Sequence, residues 1–245
     1  MSRKITDSLL FSVFIVLLAV GQAACQEVKS CGFFIPVMIE NPQKGVFVEL
    51  VKKTAEVAGL TISIDVLPTK RAIDTFLSGQ YDLMFPGLNM QYHGQMERVK
   101  PSEELIYVKT DFAFVKKGNP MITSLDQLTG KKIGLTDGYP YSETIIFNNA
   151  LKFEMALNDV INIKKLTSGR IDVFICEEKS GIGAIKQAET DQVDYDPKSP
   201  ISKQDVYFAF QNTDKGKELE KKFSAALKKL KEDGTFAAIM AKAQN

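Results

Sequence analysis

The sequence predicts an α/β protein of two similar lobes, each built on a largely parallel sheet covered by helices. Three observations predict it. LSGQYDLMF, from Leu77 to Phe85, and TSGRIDVFI, from Thr167 to Ile175, share Ser, Gly and Asp at equal offsets, and each ends in an apolar strand after a helical stretch. Helical and strand patterns alternate along the chain, as a sheet covered by helices requires. The chain has 245 residues, 44% hydrophobic and 25% charged, which is long and apolar enough for two lobes of roughly 100 residues each.

The elements follow in order. Arg3 and Lys4, the apolar run Leu9–Val20 and the small residues Gly21, Ala23 and Ala24 have the layout of a secretory signal. The run is shorter than the roughly 20 residues a membrane-spanning helix needs. Cys25 after Ala23 and Ala24 partly resembles a lipoprotein signal, but Gln22 stands where that signal prefers leucine. The expected product is therefore soluble, periplasmic and freed of residues 1–25. That cleavage removes Arg3, Lys4 and Asp7 and leaves acidic and basic side chains equal in number.

A candidate strand ends at Cys31. VFVELVKKTAEVAG then has helical spacing with Gly59 at its C-terminal cap. TISIDVLP alternates as a half-buried strand until Pro68, a helix runs from about Lys70 to Leu77, and Gly79 ends it before the next strand. Ser124 and Gln127 predict a capping box on a short helix closed by Gly130, and KKIGLT reads as a strand. DGYPYSE follows, with Pro140 near the start of a further helix, where its missing N–H does no harm. A helix start after a strand and a glycine turn can bind an anion, although many such turns only connect elements. VYFAFQ is an apolar strand, and Lys215–Ala243 reads as two helices broken at Asp233 and Gly234.

Charge and composition exclude several classes of function. With 31 basic and 30 acidic side chains there is no net field to attract nucleic acid. The lysines of KKFSAALKKLKEDG alternate with apolar residues and read as a solvated helix face. The single histidine, His93, has no cysteine or carboxylate at ligand spacing, so it reads as a loop residue and neither metal nor cofactor is expected. Cys31 and Cys176 could pair in an oxidising compartment, but each sits in an apolar setting that suits a buried thiol.

The order FFIP, KGVFVELVKK, LSGQYDLMFPGL, SLDQLTGKKIGLTDG, TSGRIDVFICEE, LKKLKEDGTFAAI resembles the bacterial extracellular solute-binding proteins of family 3, the receptors of polar amino acid ABC transporters. The resemblance covers nearly all of the mature chain. It implies a type II periplasmic-binding-protein fold, in which residues 26–112 with 209–245 form one lobe, residues 113–208 form the other, and the ligand lies in the cleft between them. Glu177 matches the acidic residue that takes a ligand's amino group; the alternative is a surface carboxylate beside Glu178. The family's Thr-x-x-Arg grip on the ligand carboxylate is missing from GLNMQYHGQMERVKPSEEL. Arg98 lies further along, either brought back to the cleft by an inserted loop or simply exposed. Arg71 offers a second guanidinium fork, or else a surface pair with Asp74. Phe34 and Gly87 are implied at the first lobe's side of the cleft, and Tyr139, Tyr141 and Ser142 would present hydroxyls from the second.

Read together, these residues suit a non-catalytic receptor that selects a small zwitterion, amino-acid-like in charge, and delivers it as a monomer to a membrane permease. Two other classes compete. The fold also resembles periplasmic cyclohexadienyl dehydratases, in which a cleft carboxylate such as Glu177 would act as general acid. A sensory module reporting occupancy to a separate receptor is the third.

Overall fold

The computed structural model describes residues 27–244, so the expected signal segment and Cys25 lie outside the described residues. From the N-terminus come β1 (Glu27–Phe33), α1 (Val46–Val57), β2 (Thr61–Leu67), α2 (Thr69–Leu77), β3 (Leu83–Gly87) and β4 (Val99–Pro101). Then follow β5 (Tyr107–Lys116), β6 (Lys132–Thr136), α3 (Glu143–Ile146), β7 (Lys152–Ala156), α4 (Asp159–Thr167), β8 (Val173–Glu177) and α5 (Glu178–Gln187). The chain closes with β9 (Val193–Asp194), β10 (Ser202–Gln211), α6 (Asp214–Glu232) and α7 (Thr235–Ala241).

The sequence repeat has a physical basis in matched hydrogen bonds. Gly79 and Gly169 both take the left-handed conformation, at φ 84° and 73°. Each follows a helix whose last carbonyls are satisfied in the same pattern: Gly79 N–H to Phe76 O and Gln80 N–H to Thr75 O, Gly169 N–H to Leu166 O and Arg170 N–H to Lys165 O. The shared serines, Ser78 and Ser168, donate to Thr75 O and Lys165 O. The shared aspartates align the next strand, because Asp82 accepts from Lys29 N–H of β1 and Asp172 from Lys132 N–H of β6. One local solution is thus used twice, once per lobe.

The strands form one curled sheet in the order β2-β1-β3-β10-β5-β8-β6-β7. Pairs within each lobe are parallel, β1 with β2 and β3, and β6 with β7 and β8. The expectation of largely parallel sheets holds there and fails at the junction. Two ten-residue strands, β5 and β10, run antiparallel between the lobes. β10 pairs with β5 over Ser202–Val206 and with β3 from Tyr207 onward. β5 leaves β10 after Asp111 and pairs with β8 from Asp111 to Val115. These crossings carry the chain from one lobe to the other and back.

Separate apolar cores flank the two halves. One unites α1, α6 and α7 with the first sheet, and there Phe223 of α6 sits edge-on to Phe208 and Phe210 of β10 at 5.7 and 5.3 Å. The lysines of α6 point away from that face, as expected. A second core lies under α2, and two more flank the second lobe's strands. Cys31 is buried in the first lobe and Cys176 in the second, both as free thiols. Burial pushes the Cys31 thiol up to about 12, which suits an inert core residue.

Two local expectations are corrected. Ser124 makes no side-chain cap to its short 3-10 turn; Gln127 instead reaches back to Thr123 N–H at 2.7 Å. Pro140 lies just before the next helix rather than in its first turn, since α3 starts at Glu143 and is capped by Ser142. Tyr141 is drawn into the second lobe's core, and the chain is helical only after it.

Candidate functional site

Strand alternation builds a polar floor between the lobes. Tyr107, Lys109 and Asp111 share one face of β5, and the register places Ser202 and Gln204 of β10 and Glu177 of β8 beside them on that face. Further along the same face, Ala113 and Val115 enter the second lobe's core. Asp111 is completely buried, paired with the Lys109 ammonium and accepting from Ser202 Oγ at 2.8 Å. Lys109 also sits 5.5 Å over the Tyr141 ring. Gln204 donates to Pro140 O at 2.8 Å, which ties β10 to the turn before α3.

Glu177 ends β8 and is the N-cap of α5. Its Oε2 accepts from Ser180 N–H and its Oε1 from the Tyr107 hydroxyl, both at 3.0 Å. The helix start and the crossing strand therefore fix this half-buried carboxylate, and its remaining lone pairs are available to a cationic group. Burial pushes the Tyr107 phenol upward and the Glu177 charge adds to it. Tyr107 accordingly stays a neutral donor towards Glu177.

The other candidate residues are placed as follows. Phe34, just past the end of β1, is 62% exposed. Arg71 lies in the first turn of α2, exposed; its carbonyl accepts from the Thr75 hydroxyl at 2.6 Å, while its guanidinium has neither hydrogen bond nor ion pair among the described residues. Its suggested surface partner, Asp74, pairs with Lys70 at 2.8 Å instead. Arg98 is exposed on a 3-10 turn and its guanidinium meets Gln95 at 3.3 Å, a contact within its own loop. Tyr139 is partly exposed and donates to Asp159 at 3.1 Å. Tyr141 is 1% exposed, accepting from Thr136 N–H and donating to Ile175 O. Its hydroxyl is therefore spent inside the second lobe, and its ring is a core residue rather than an open donor. Ser142 caps α3 through Thr144 N–H.

Gly87 has a packing role that any side chain would disturb. A Cβ there would lie 2.7 Å from the Tyr207 ring and 2.9 Å from Ala209 Cβ, and the Tyr207 hydroxyl is held by Asn89 at 2.8 Å. Gly87→Ala is expected to lower stability by about 1–3 kcal/mol, measured by denaturant unfolding; an unchanged midpoint would show that β3 and β10 can part without cost.

Sequence reasoning singled out Glu177 but not Tyr107, Lys109, Asp111 or Gln204, which the register places beside it. A signal existed in YVKTDFAFVK, where alternate positions change from polar to apolar at Asp111. A strand face that changes character midway marks where it passes from an open cleft into a core.

The sequence profile of the bacterial extracellular solute-binding proteins, family 3, matches residues 29–244. No curated protein matches the chain. Among solved structures, the chain is similar to a histidine kinase sensor domain with similarity to periplasmic binding proteins, at 19% identity, 89% of this chain and 96% of that one, TM-score 0.67. It is also similar to an ancestral arginine-binding protein bound to arginine, at 21% identity, 88% and 97% coverage, TM-score 0.62. The GluR0 ligand-binding core from Nostoc punctiforme, in complex with L-glutamate, matches at 16% identity, 88% and 98% coverage, TM-score 0.65. These likenesses establish the type II periplasmic-binding-protein fold. With a profile match over nearly all the described residues, the chain belongs to the bacterial extracellular solute-binding proteins, family 3.

Proposed function

We propose that this protein is a periplasmic receptor that closes on a small polar solute with amino-acid-like charges and delivers it to the membrane permease of an ABC transporter. It acts as a monomer, without a cofactor, and binds its ligand rather than transforming it. The observation that carries this reading is the division of charge. Glu177 is oriented at the end of β8 by two hydrogen bonds, while Arg71, whose guanidinium has no ion pair among the described residues, lies in the first turn of a helix of the other lobe. Opposite charges on two lobes joined by crossing strands suit a zwitterion captured by closure. The arginine and glutamate bound by structures of this fold support the solute class.

Thermal unfolding against amino acids, polyamines and small carboxylates tests the reading. A ligand at 100 times its dissociation constant is expected to add about 2.7 kcal/mol of stability. A shift with a zwitterionic amino acid supports the proposal, whereas stabilisation by none of the amino acids removes the amino-acid-like ligand. The similarity to a sensor domain favours sensing as the second reading. Uptake of the identified ligand by cells lacking the protein separates the two, since a transport receptor is needed for uptake and a sensor is not.

A further inference from the structure

We infer that His93 is an interlobe latch that sets the receptor's ligand affinity from outside the ligand's own contacts. The inference rests on the receptor reading for its link to affinity, but its geometry stands apart from it. His93 lies between two 3-10 turns that follow β3, while Glu143 opens α3 of the other lobe and Phe147 is its C-cap residue. His93 Nδ1 is 3.0 Å from Glu143 Oε1, and the imidazole stacks on Phe147 with ring centroids 4.5 Å apart and planes at 38°. Among the described residues this is the hydrogen bond that joins the lobes without using a residue of β5 or β10.

Both sides of the contact are anchored. Tyr92, the residue before His93, is completely buried and packs on Phe76 of α2 at 5.8 Å. The same turn is tied to β10 through Asn89 and Tyr207. On the opposite lobe, Glu143 and the C-cap residue Phe147 stand one turn apart, and Phe147 N–H donates to Glu143 O, so this single turn presents both a carboxylate and a ring. Ile145, between them, is buried in the second lobe's core. The imidazole itself stays 56% exposed. Rigid lobes therefore meet at a solvent-facing point, where the contact forms on closing and breaks on opening.

A contact made only in the closed form shifts the balance of open and closed molecules, and ligand release has to await reopening. An exposed polar pair and an aromatic contact together are worth about a threefold to tenfold change in such a balance. His93→Ala is expected to speed ligand release by that factor and leave the association rate nearly unchanged, and Phe147→Ala should do the same. Neither substitution should alter folding, because both side chains are exposed.

The experiment has two arms. Small-angle scattering of the ligand-free full chain compares wild type with His93→Ala and Phe147→Ala, and stopped-flow measures release of whichever amino acid the unfolding panel identifies. A larger radius of gyration in the variants, or faster release, supports the latch. Superimposable scattering together with unchanged release overturns it. If no amino acid binds wild type, the receptor reading fails by itself; the scattering arm then decides alone, and profiles that coincide overturn the latch.

Discussion

Asp111→Ala is expected to destabilise the protein by about 3–5 kcal/mol, because removing one member of a buried ion pair strands the other. Asp111 is completely buried and the Lys109 side chain is 12% exposed, so the ammonium would lose its counter-ion with little water to replace it. The Ser202 hydroxyl would lose its acceptor as well. In a protein of this size such a loss corresponds to a fall of roughly 10 °C in the unfolding midpoint. Asp111→Asn provides the control: it keeps an oxygen for Ser202 and removes only the charge, so it should fall between wild type and alanine. Replacing Lys109 by Met together with Asp111 by Leu should restore most of the stability, since an apolar pair of similar volume often matches a buried ion pair. Calorimetry or denaturant unfolding reads all three. If Asp111→Ala changed stability by less than about 1 kcal/mol, the pair would be no more than a surface-type contact.

The position of this pair makes the experiment informative about more than one interaction. Asp111 is where β5 leaves β10 and begins to pair with β8. Weakening it loosens the junction of the two lobes as well as the total stability. Unfolding that separates into two transitions in the alanine variant would show that the crossing strands normally couple the lobes into one cooperative unit.

What the sequence revealed and what it hid follow from the range of the interactions. The repeated Ser-Gly-x-x-Asp signature was legible because its serine and glycine bonds close a helix end within five residues, whereas its aspartates reach 53 and 40 residues back, to Lys29 and Lys132. The helices α1, α2 and α6 were legible for the same reason, with an apolar face and a glycine after the last turn. The crossing strands were not. VYFAFQ announced only the apolar half of β10, since Ser202–Asp205 alternate without a strong apolar face. His93 looked like an isolated loop residue because its partner, Glu143, is 50 residues away and belongs to another lobe. At the site, Glu177 was visible as a carboxylate ending an apolar strand, but the Tyr107 hydroxyl that orients it is a matter of register between β5 and β8. The pattern of a single strand cannot supply that register.

Glu177→Gln is expected to weaken an amine-bearing ligand about 30-fold to 100-fold, the equivalent of roughly 2–3 kcal/mol for losing a charge-assisted hydrogen bond. The substitution is nearly isosteric. Its amide oxygen can still accept from Ser180 N–H, and its amide N–H can meet the Tyr107 oxygen, so the cap on α5 and the link to β5 both survive. The ligand-free protein should consequently unfold within about 1 kcal/mol of wild type, while isothermal titration with the amine-bearing ligand shows the loss of affinity. A ligand carrying only a carboxylate should be unaffected, because the charge that is removed faces the other end of the molecule. The opposite pattern, unchanged affinity with lowered stability, would assign Glu177 to holding α5 against the crossing strands and move recognition of the amine elsewhere in the cleft. Tyr107→Phe sharpens the distinction: it leaves the carboxylate in place and removes one of its two anchors, so a recognition role predicts a smaller loss of affinity in the same direction.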